Sequence, residues 1–252
     1  MRPIVLITGA TSGIGKAAVK KFADQHFTIV ATGRKIEELE KLQKEFGQIT
    51  KIYIFQIDLT EANAVSNLVS YMSETTGKLD CLINAAGIIG SGTIEDTLLE
   101  DWRYMFKLNV DVVFELMQKA IPFLEKSDLK SIVNVSSVVG LRQFPGVLAY
   151  SVSKSAVDQL TKVSALELAD KQIRVNAINP GVVETNLHKR GGMDDDTYDD
   201  FLEHSTTTHP LGRVGQPEEV AELIYFLASD QSQWITGQTV AIDGGRSLTC
   251  FR

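Results

Sequence analysis

Short apolar runs rich in β-branched residues alternate along this chain with longer segments of helical periodicity. Such runs predict buried strands, and the segments between them predict helices. The alternation of the two predicts an α/β fold, with one doubly wound parallel sheet of about seven strands and helices on both faces. The predicted strands are Ile4–Ile7, Thr28–Thr32, Lys51–Gln56, Leu79–Ile83, Ser131–Val135, Arg174–Ile178 and Gln238–Ile242. The predicted helices are one through Ala17 to Phe22, then Ile36–Phe46, Ala62–Ser73, Trp102–Leu124, Val152–Leu168 and Pro217–Leu227.

Size and composition limit the classes of protein that remain. A chain of 252 residues and 27.7 kDa suits one large domain, which we expect to span residues 1–252. Its hydrophobic share of 44% and charged share of 23% are those of an ordinary soluble globule. The net charge of -7 argues against nucleic acid as the main partner. No apolar run reaches the ~20 residues that a membrane span needs.

The ends of the chain and its cysteines suggest a compartment. The first predicted strand begins by Ile4, which leaves no room for a signal peptide. Two cysteines, Cys81 in a predicted strand and Cys250 near the C-terminus, do not make a disulfide framework, and we interpret each as a packing or tail residue. We therefore expect a cytoplasmic protein.

A glycine-rich turn follows the first strand and precedes the first helix. It reads Thr8-Gly9-Ala10-Thr11-Ser12-Gly13-Ile14-Gly15. Glycines let a backbone approach a pyrophosphate, and the amides and dipole of a helix N-terminus attract it. The order strand, turn and helix thus predicts a dinucleotide-phosphate site. The alternative is a flexible turn, since a glycine motif by itself is weak evidence.

Tyr150, Lys154 and Ser137 form the most informative set of polar residues. A phenol has a pKa near ~10, too high for easy proton exchange at neutral pH. Positions four apart share a helix face, so Lys154 is expected to lie near the phenol and to lower its pKa. Tyr150 would then be a general acid or base, with Ser137 as a second hydrogen-bond donor to a carbonyl oxygen. The alternative is a partly exposed helix face that carries a surface lysine.

These motifs together resemble those of the short-chain dehydrogenase/reductase family, in the branch that includes 3-oxoacyl-carrier-protein reductases. The resemblance covers nearly the whole chain. It departs from the family pattern at Ala85, where a second asparagine is usual, so we expect a local loss of hydrogen bonding. It implies a Rossmann-type fold and hydride transfer between NAD(P) and a ketone, aldehyde or alcohol. The residues that carry it are the glycine-rich turn, Asp58, Asn84-Ala85-Ala86-Gly87, Asn109, Ser137, Tyr150, Lys154 and Pro180-Gly181.

The end of the second strand bears on the choice of dinucleotide. Gly33 stands where an acid would bind the ribose hydroxyls of NAD, and Arg34 follows it. A guanidinium pairs with a 2′-phosphate, whereas a carboxylate would repel it, so NADP is favoured and NAD remains possible. Alternatively, Arg34 and Lys35 begin a solvated helix.

The resemblance assigns further cofactor contacts along the chain. Asp58 would meet the adenine with the Leu59 amide beside it, although Asp58 is also a candidate N-cap for the next helix. Lys154 would hold the nicotinamide ribose beside Tyr150, and the Val183 backbone would bind the carboxamide. The full set implied is Gly9, Thr11, Ser12, Gly13, Ile14, Gly15, Arg34, Asp58, Leu59, Asn84, Ala85, Ala86, Gly87, Tyr150, Lys154, Pro180, Gly181, Val183 and Thr185.

The implied catalytic residues are Asn109, Ser137, Tyr150 and Lys154. Asn109 lies inside a predicted helix, where asparagine is mildly unfavourable and invites a reason. The resemblance implies that Asn109 holds a water molecule that links Lys154 to bulk solvent. The alternative is that Asn109 occupies a solvated helix position. Ser136 is interpreted as structural.

A stretch from Leu187 to Gly215 departs from the alternation, and long excursions are either functional or loosely ordered. The resemblance implies a substrate lid at about residues 186–215. Its acidic run, Asp194-Asp195-Asp196, is expected to be a solvated face.

The substrate is left open between a 3-oxoacyl thioester, a steroid or retinoid ketone, a sugar or polyol, and a xenobiotic carbonyl. Apolar residues after Ser137 (Val138 to Leu141, Gln143 and Phe144) favour a ketone with a carbon skeleton, while His188, Lys189 and Arg190 are candidates for attracting an anion. His204 and His209 lack metal-ligand spacing, so no metal is predicted.

The oligomeric state and the presence of catalytic activity are both left open between two possibilities. The resemblance implies a homotetramer or homodimer built through the two long helices. A non-catalytic nucleotide sensor or scaffold on the same fold is the alternative to an enzyme.

Overall fold

In the computed structural model, which describes residues 2–249, the strands form one seven-stranded sheet. Its strand order is β3-β2-β1-β4-β5-β6-β7, and neighbouring strands run parallel. The order reverses between β1 and β4, which creates a crevice at the carboxyl ends of these strands. The strands are β1 (Ile4–Ile7), β2 (Thr28–Gly33), β3 (Ile52–Gln56), β4 (Cys81–Asn84), β5 (Ser131–Val135), β6 (Arg174–Pro180) and β7 (Thr239–Ile242).

Helices cover both faces of this sheet. Side chains of β1 alternate between the faces, with Val5 and Ile7 in one apolar core and Ile4 and Leu6 in the other. Helices α1, α2 and α10 close the first core, and α3, α5 and α7 close the second. The predicted fold class is confirmed. The helices are α1 (Gly13–Asp24), α2 (Ile36–Phe46), α3 (Ala64–Thr75), α4 (Leu99–Phe106), α5 (Val112–Leu124), α6 (Val138–Leu141), α7 (Leu148–Glu167), α8 (Leu187–Arg190), α9 (Asp195–Thr208) and α10 (Pro217–Ala228).

The long helix predicted at Trp102–Leu124 contains a wider turn. Helix α4 continues through a π-helical segment, Lys107–Asp111, into α5. Asn109 lies in this segment. Single π turns inside α-helices occur often at functional sites.

Helix α7 begins earlier than predicted. It starts at Leu148 rather than Val152, so Tyr150 and Lys154 both lie within it. Gly146, at φ +81°, ends the preceding loop in a conformation that few other residues adopt, and this permits the early start.

The 186–215 segment contains two helices, α8 and α9. Asp194 caps α9, because its carboxylate accepts a hydrogen bond from the Thr197 amide at 2.9 Å. Asp194, Asp195 and Asp196 are exposed, as predicted for a solvated face. Within residues 2–249, no helix is both long enough and apolar enough to cross a membrane.

Candidate active site

A cavity of about 370 Å³ opens at the carboxyl ends of the central strands. It lies at the crevice where the strand order reverses, the usual ligand position in a doubly wound sheet. Most of the residues proposed from the sequence line it, namely Gly9, Ser12, Gly13, Ile14, Gly15, Ala85, Ala86, Gly87, Ser137, Tyr150, Lys154, Pro180, Gly181, Val183 and Thr185. The others (Thr11, Arg34, Asp58, Leu59, Asn84 and Asn109) lie outside its lining.

The glycine-rich turn is tightly packed. A Cβ on Gly15 would lie 2.2 Å from the Gly9 carbonyl oxygen, and a Cβ on Gly9 would lie 2.9 Å from the Ala86 backbone. The Thr8 hydroxyl accepts hydrogen bonds from the amides of Ala85 and Ala86, each at 3.1 Å. The turn is therefore held against the loop after β4, and its glycines permit this close packing.

Ser137, Tyr150 and Lys154 converge on one wall of the cavity. Their exposed fractions are 8%, 6% and 5%, so the alternative of an exposed helix face with a surface lysine is wrong. The Ser137 side chain lies close enough to the Tyr150 phenol to lower its pKa, and its Oγ accepts from the Val139 amide at 3.4 Å. The Lys154 ammonium donates to the Val135 carbonyl oxygen at 2.9 Å and lies 5.7 Å from the centroid of the Tyr150 ring.

Burial is the main cause of the pKa shifts of Tyr150 and Lys154. It raises the pKa of Tyr150 to about 12, against a smaller lowering by the Ser137 side chain. Burial also lowers the pKa of Lys154 to about 8, and the Asp158 carboxylate opposes this. The expectation that Lys154 holds the phenol pKa below its ordinary range is wrong for this structure, because burial of the phenol raises its pKa and Lys154 is not among the groups that shift it.

Asn109 is fully buried and ties two elements of the site together, so the alternative of a solvated helix position is wrong. Its Oδ1 accepts from the Ile88 amide at 3.0 Å, and its Nδ2 donates to the Ile88 carbonyl oxygen at 3.0 Å. Nδ2 also lies 3.1 Å from Ser153 Oγ, which donates to the Tyr150 carbonyl oxygen. A Cβ on Gly87 would approach both Asn109 Oδ1 and Lys154 Nζ, at 3.3 and 3.5 Å. Glycine at position 87 thus keeps the gap between them open.

Sequence reasoning missed a buried carboxylate behind the wall that carries Ser137, Tyr150 and Lys154. Asp158 is 4% exposed and accepts hydrogen bonds from Asn179 Nδ2 at 2.9 and 3.1 Å. The same Nδ2 lies 2.9 Å from the Ser137 carbonyl oxygen. Burial raises the pKa of Asp158, while hydrogen bonds with Ser136 and Asn179 lower it. The one local signal was the spacing, since Asp158 follows Lys154 by one helical turn.

A second missed residue is His209, which supports the loop after β6. Its Nε2 accepts from the Val182 amide at 3.1 Å, and its Nδ1 lies 2.7 Å from the Ser205 carbonyl oxygen. The neutral tautomer that carries its proton on Nδ1 satisfies both contacts. A parallel bridge also joins this loop to Gly215, through the Glu184 amide and the Val182 carbonyl. These bonds use backbone groups on either side of Val183 and do not involve its own amide or carbonyl.

The residues proposed for the adenosine end lie beyond the cavity. Arg34 is exposed. Burial raises the pKa of Asp58, but hydrogen bonds with Thr60 and, to a smaller extent, the charge of Arg34 lower it, and the net shift is downward. Asp58 Oδ1 accepts from the Thr60 amide at 2.9 Å, whereas the next helix begins only at Ala64. The alternative role of Asp58 as the N-cap of that helix is therefore wrong.

Several other predicted residues have structural contacts. Thr11 packs against Gly33, where a Cβ would lie 2.7 Å from Thr11 Cγ2. Asn84 is buried and donates to Asn134 Oδ1 at 2.8 Å, and Leu59 is buried in the second core. Cys81 is buried, as predicted, and burial raises the pKa of its thiol. Cys250 lies outside the described residues.

Comparison with known proteins agrees with this architecture. A family model described as enoyl-(acyl carrier protein) reductase matches residues 9–247. A 3-oxoacyl-(acyl-carrier-protein) reductase of Thermotoga maritima is 40% identical over 243 residues, which are 96% of each chain. This chain belongs to the short-chain dehydrogenase/reductase family.

Other members of the family give the same assignment. A short-chain dehydrogenase/reductase structure from Mycobacterium marinum superposes with a TM-score of 0.89 at 30% identity, covering 98% of this chain and 96% of that one. An NADP-dependent (R)-specific alcohol dehydrogenase of Lentilactobacillus kefiri is 34% identical over 96% of this chain and 95% of its own. The chain is thus an oxidoreductase of a family that uses NAD(P) and small-molecule substrates.

Proposed function

We propose that this protein is an NADP(H)-dependent oxidoreductase that interconverts a ketone or aldehyde and an alcohol, with Tyr150 as general acid and base. The observation that carries the proposal is the convergence of Ser137, Tyr150 and Lys154 on one wall of a cavity whose other wall is a glycine-rich turn at a helix N-terminus. The first wall suits proton transfer at a carbonyl oxygen, and the second suits a pyrophosphate.

The cavity walls fit a dinucleotide. A Cβ at Gly9 or Gly15 would collide with neighbouring backbone, so glycine at these positions lets the turn pack tightly, and both glycines line the cavity. Ala85, Ala86 and Gly87 extend this surface along the loop after β4. The Val183 backbone and Thr185 are proposed to hold the nicotinamide end. The bound dinucleotide would supply or accept the hydride, and the protein would orient it.

The proton chemistry follows from the protein's own groups. Tyr150, with a pKa raised to about 12, is protonated at neutral pH and is ready to donate to a carbonyl oxygen. The Ser137 hydroxyl lies beside it as a second donor to the same oxygen. Lys154 places a cation near the phenol and stabilises the phenolate that remains after transfer. Asn109 is proposed as a member of the proton path, through its contact with Ser153 on the helix that carries Tyr150 and Lys154.

NADP is the proposed cofactor because of the end of β2. A side chain at Gly33 would collide with Thr11, which disfavours an acid at the position that binds the NAD ribose. The guanidinium of Arg34 is exposed next to this position. It has the charge and planar shape that a 2′-phosphate requires.

The cofactor assignment predicts the effect of Arg34→Asp. A carboxylate there repels a 2′-phosphate, so NADPH binding weakens by about tenfold to a hundredfold while NADH binding changes little. Fluorescence titration of each reduced cofactor measures both dissociation constants. Lys35→Asp changes the charge by the same amount one residue away and serves as the control. Equal losses for NADPH and NADH would remove the assignment.

The 186–215 segment is proposed as the substrate lid. His188 and Arg190 of this segment line the cavity, and Phe201 closes it from α9. Val138, Val139 and Phe144 supply an apolar wall, as predicted, whereas Gly140, Leu141 and Gln143 lie outside the lining. A carbonyl group on an apolar skeleton therefore remains the proposed substrate class.

A homotetramer or homodimer remains a proposal. Helices α5 and α7 expose Phe114 (50%) and Leu166 (80%), which are large apolar side chains on the two long helices expected to associate. A cytoplasmic location likewise remains a prediction.

The proposal is tested with the Tyr150→Phe variant. This change keeps the ring and removes the proton, so kcat/KM should fall by about 10²–10⁴-fold. Oxidation of NADPH is followed by its absorbance at about 340 nm, with acyl thioesters, α-diketones, quinones, steroids and ketoses as the substrates. Thermal denaturation of both proteins with NADPH shows whether fold and cofactor binding are kept. NADPH binding without turnover on any of these substrates would favour the alternative, a nucleotide sensor or scaffold.

A further inference from the structure

The charge of the cavity walls differs in sign from that of the protein. The chain has a net charge of -7. Among the described residues that line the cavity, three are cations with lysine or arginine side chains (Lys154, Arg190 and Arg246), and none is an aspartate or glutamate. A cavity lined by one sign of charge concentrates ligands of the opposite sign.

Two of these cations already have a role in the proposed function, Lys154 in proton transfer and Arg190 beside the cofactor site. Lys154 donates to the Val135 carbonyl and faces Tyr150. Arg190 donates to Ser12 Oγ at 2.9 Å, and Ser12 belongs to the glycine-rich turn proposed for the pyrophosphate. Arg246 has neither position, so its charge needs a different account.

Arg246 lines the cavity from the short 3₁₀ turn that follows β7. Its guanidinium carbon is 4.9 Å from the centroid of the Phe144 ring, and Phe144 is part of the apolar wall proposed for the substrate. Of its five N–H donors, one has an acceptor among residues 2–249, the Thr208 carbonyl oxygen at 3.1 Å. Within residues 2–249 the side chain is thus anchored by one hydrogen bond, and its other four N–H groups have no acceptor there.

No carboxylate neutralises this guanidinium within the described part of the chain, where the ion pairs involve other residues. The carboxylate of Asp243, three residues earlier, accepts instead from the amides of Gly245 and Ser247 at 3.0 and 2.7 Å. A second guanidinium, that of Arg142, lies 5.9 Å from the same Phe144 centroid. Burial and the charge of Arg142 both lower the pKa of Arg246. An arginine that is half-buried, unpaired and repelled by a neighbour is stabilised by a bound anion.

We propose that Arg246, with Arg142 behind it, forms an anion subsite for the substrate, so that preferred substrates are carbonyl compounds carrying a carboxylate or a phosphate monoester at the end remote from the carbonyl. The apolar wall at Val139 and Phe144 would contact the carbon chain between the two groups. This inference rests on the proposed function and narrows its substrate class. An anion subsite also explains why an arginine lies against the apolar side chain of Phe144 in this cavity.

The first test is a set of matched ketones. The probes are oxo-octanoates with the keto group at successive positions, each paired with its methyl ester, which removes the charge and keeps the chain. For at least one isomer the acid should exceed the ester in kcat/KM by about tenfold to a hundredfold, the contribution of a charge-assisted hydrogen bond. Arg246→Met keeps the apolar contact with Phe144, and should bring the ratio of acid to ester close to one. Arg246→Lys should restore part of it.

Arg190→Met is the matched control, because it removes a cation of the same type from the cofactor side. It should change kcat/KM for acid and ester by the same factor and leave their ratio as in the unchanged protein. The proposal is overturned if no isomer is preferred as the acid, or if the ratio persists in Arg246→Met.

A second test does not depend on turnover. Octanoate, octyl phosphate and octanamide are titrated calorimetrically into the NADPH-saturated protein. Octanoate or octyl phosphate should bind at least tenfold more tightly than octanamide, and Arg246→Met should remove the difference. Whichever of the two anions binds more tightly identifies the source of the charge, carboxylate or phosphate.

The two tests separate two kinds of failure. If binding depends on Arg246 while no ketone is reduced, the oxidoreductase proposal has failed and the anion site stands. If ketones are reduced with dependence on Tyr150 but neither anion binds better than octanamide, the anion site has failed and the oxidoreductase stands.

Discussion

The two sides of the cavity are held in different ways. The wall that carries Ser137, Tyr150 and Lys154 is buried, and its polar groups bond to residues far away in sequence, such as Asn109 to Ile88 and Asn179 to Asp158. The 186–215 segment opposite is more exposed. The contacts of its helices α8 and α9 include the hydrogen bond between Tyr198 and the Thr185 backbone and the surface ion pair between Lys189 and Asp195.

This difference separates the fixed part of the site from the part that can vary. The wall that carries Ser137, Tyr150 and Lys154 is proposed to be catalytic, and a catalytic wall must hold its groups in one geometry because small displacements cost rate steeply. The 186–215 segment, proposed as the substrate lid, would have to admit substrates and close over them, and its greater exposure suits that role. We therefore expect equivalent substitutions to have larger effects on the wall than on the lid.

The largest contrast is expected between two lysines. Lys154→Met removes the cation beside Tyr150, and kcat/KM should fall by about 10²-fold or more, as for loss of one electrostatic group from an active site. Lys189→Met removes an exposed ion pair with Asp195, and kcat/KM should change by less than about threefold. Steady-state kinetics on the same ketone compare the two. Similar losses in both variants would contradict the division into wall and lid.

A smaller contrast is expected in stability. Asn109→Ala leaves the Ile88 amide and carbonyl without their partner, at a cost of about 1–3 kcal/mol in the free energy of unfolding. Tyr198→Phe removes the bonds of its hydroxyl to the Thr185 backbone, at a cost of about 1 kcal/mol. Urea denaturation measures both. A larger loss from Tyr198→Phe would show that the lid contributes more to the fold than the catalytic wall does.

The smallest effect is a pH dependence. Burial lowers the pKa of Lys154 from 10.5 to about 8, so between these values the unfolded chain binds more protons than the folded one. The destabilisation by Lys154 is therefore full below pH 8 and is relieved as pH rises toward 10. The stability of Lys154→Met relative to the unchanged protein should fall over this range. Lys189 lies at the surface, and its pKa is raised by its hydrogen bond with Asp195. The difference in unfolding free energy between Lys189→Met and the unchanged protein should therefore stay constant over this pH range. A flat difference for Lys154→Met as well would mean that the ammonium is not desolvated.

Local motifs made much of the site predictable. The glycine-rich turn lies between a strand and a helix that adjoin it in sequence, so its position at the end of β1 follows from the chain order alone. Tyr150 and Lys154 share a helix face for the same local reason. Asp58 shows the limit of this approach, since its carboxylate caps a turn at Thr60 and the helix begins further on.

Residues that act through distant contacts could not be found in this way. His209 supports the loop at Val182 across 27 positions, and Asp158 holds Asn179 across 21. Nothing near these residues in the sequence marks them, because their partners are brought close only when the strands of the sheet align. The pKa of Tyr150 was misjudged for a related reason, since a helical spacing indicates a neighbouring charge and says nothing about burial.

The sequence by itself determined the fold class, the parallel sheet and the family of motifs along its carboxyl edge. These features follow from periodicity and from the order of strands, turns and helices, which are local properties of the chain. Only the tertiary structure decided which charges share the cavity, and it placed Arg246 beside Phe144 while removing Asp243 to the backbone of its own turn. Charge and burial around a site depend on which segments pack together, so they are set by the whole fold.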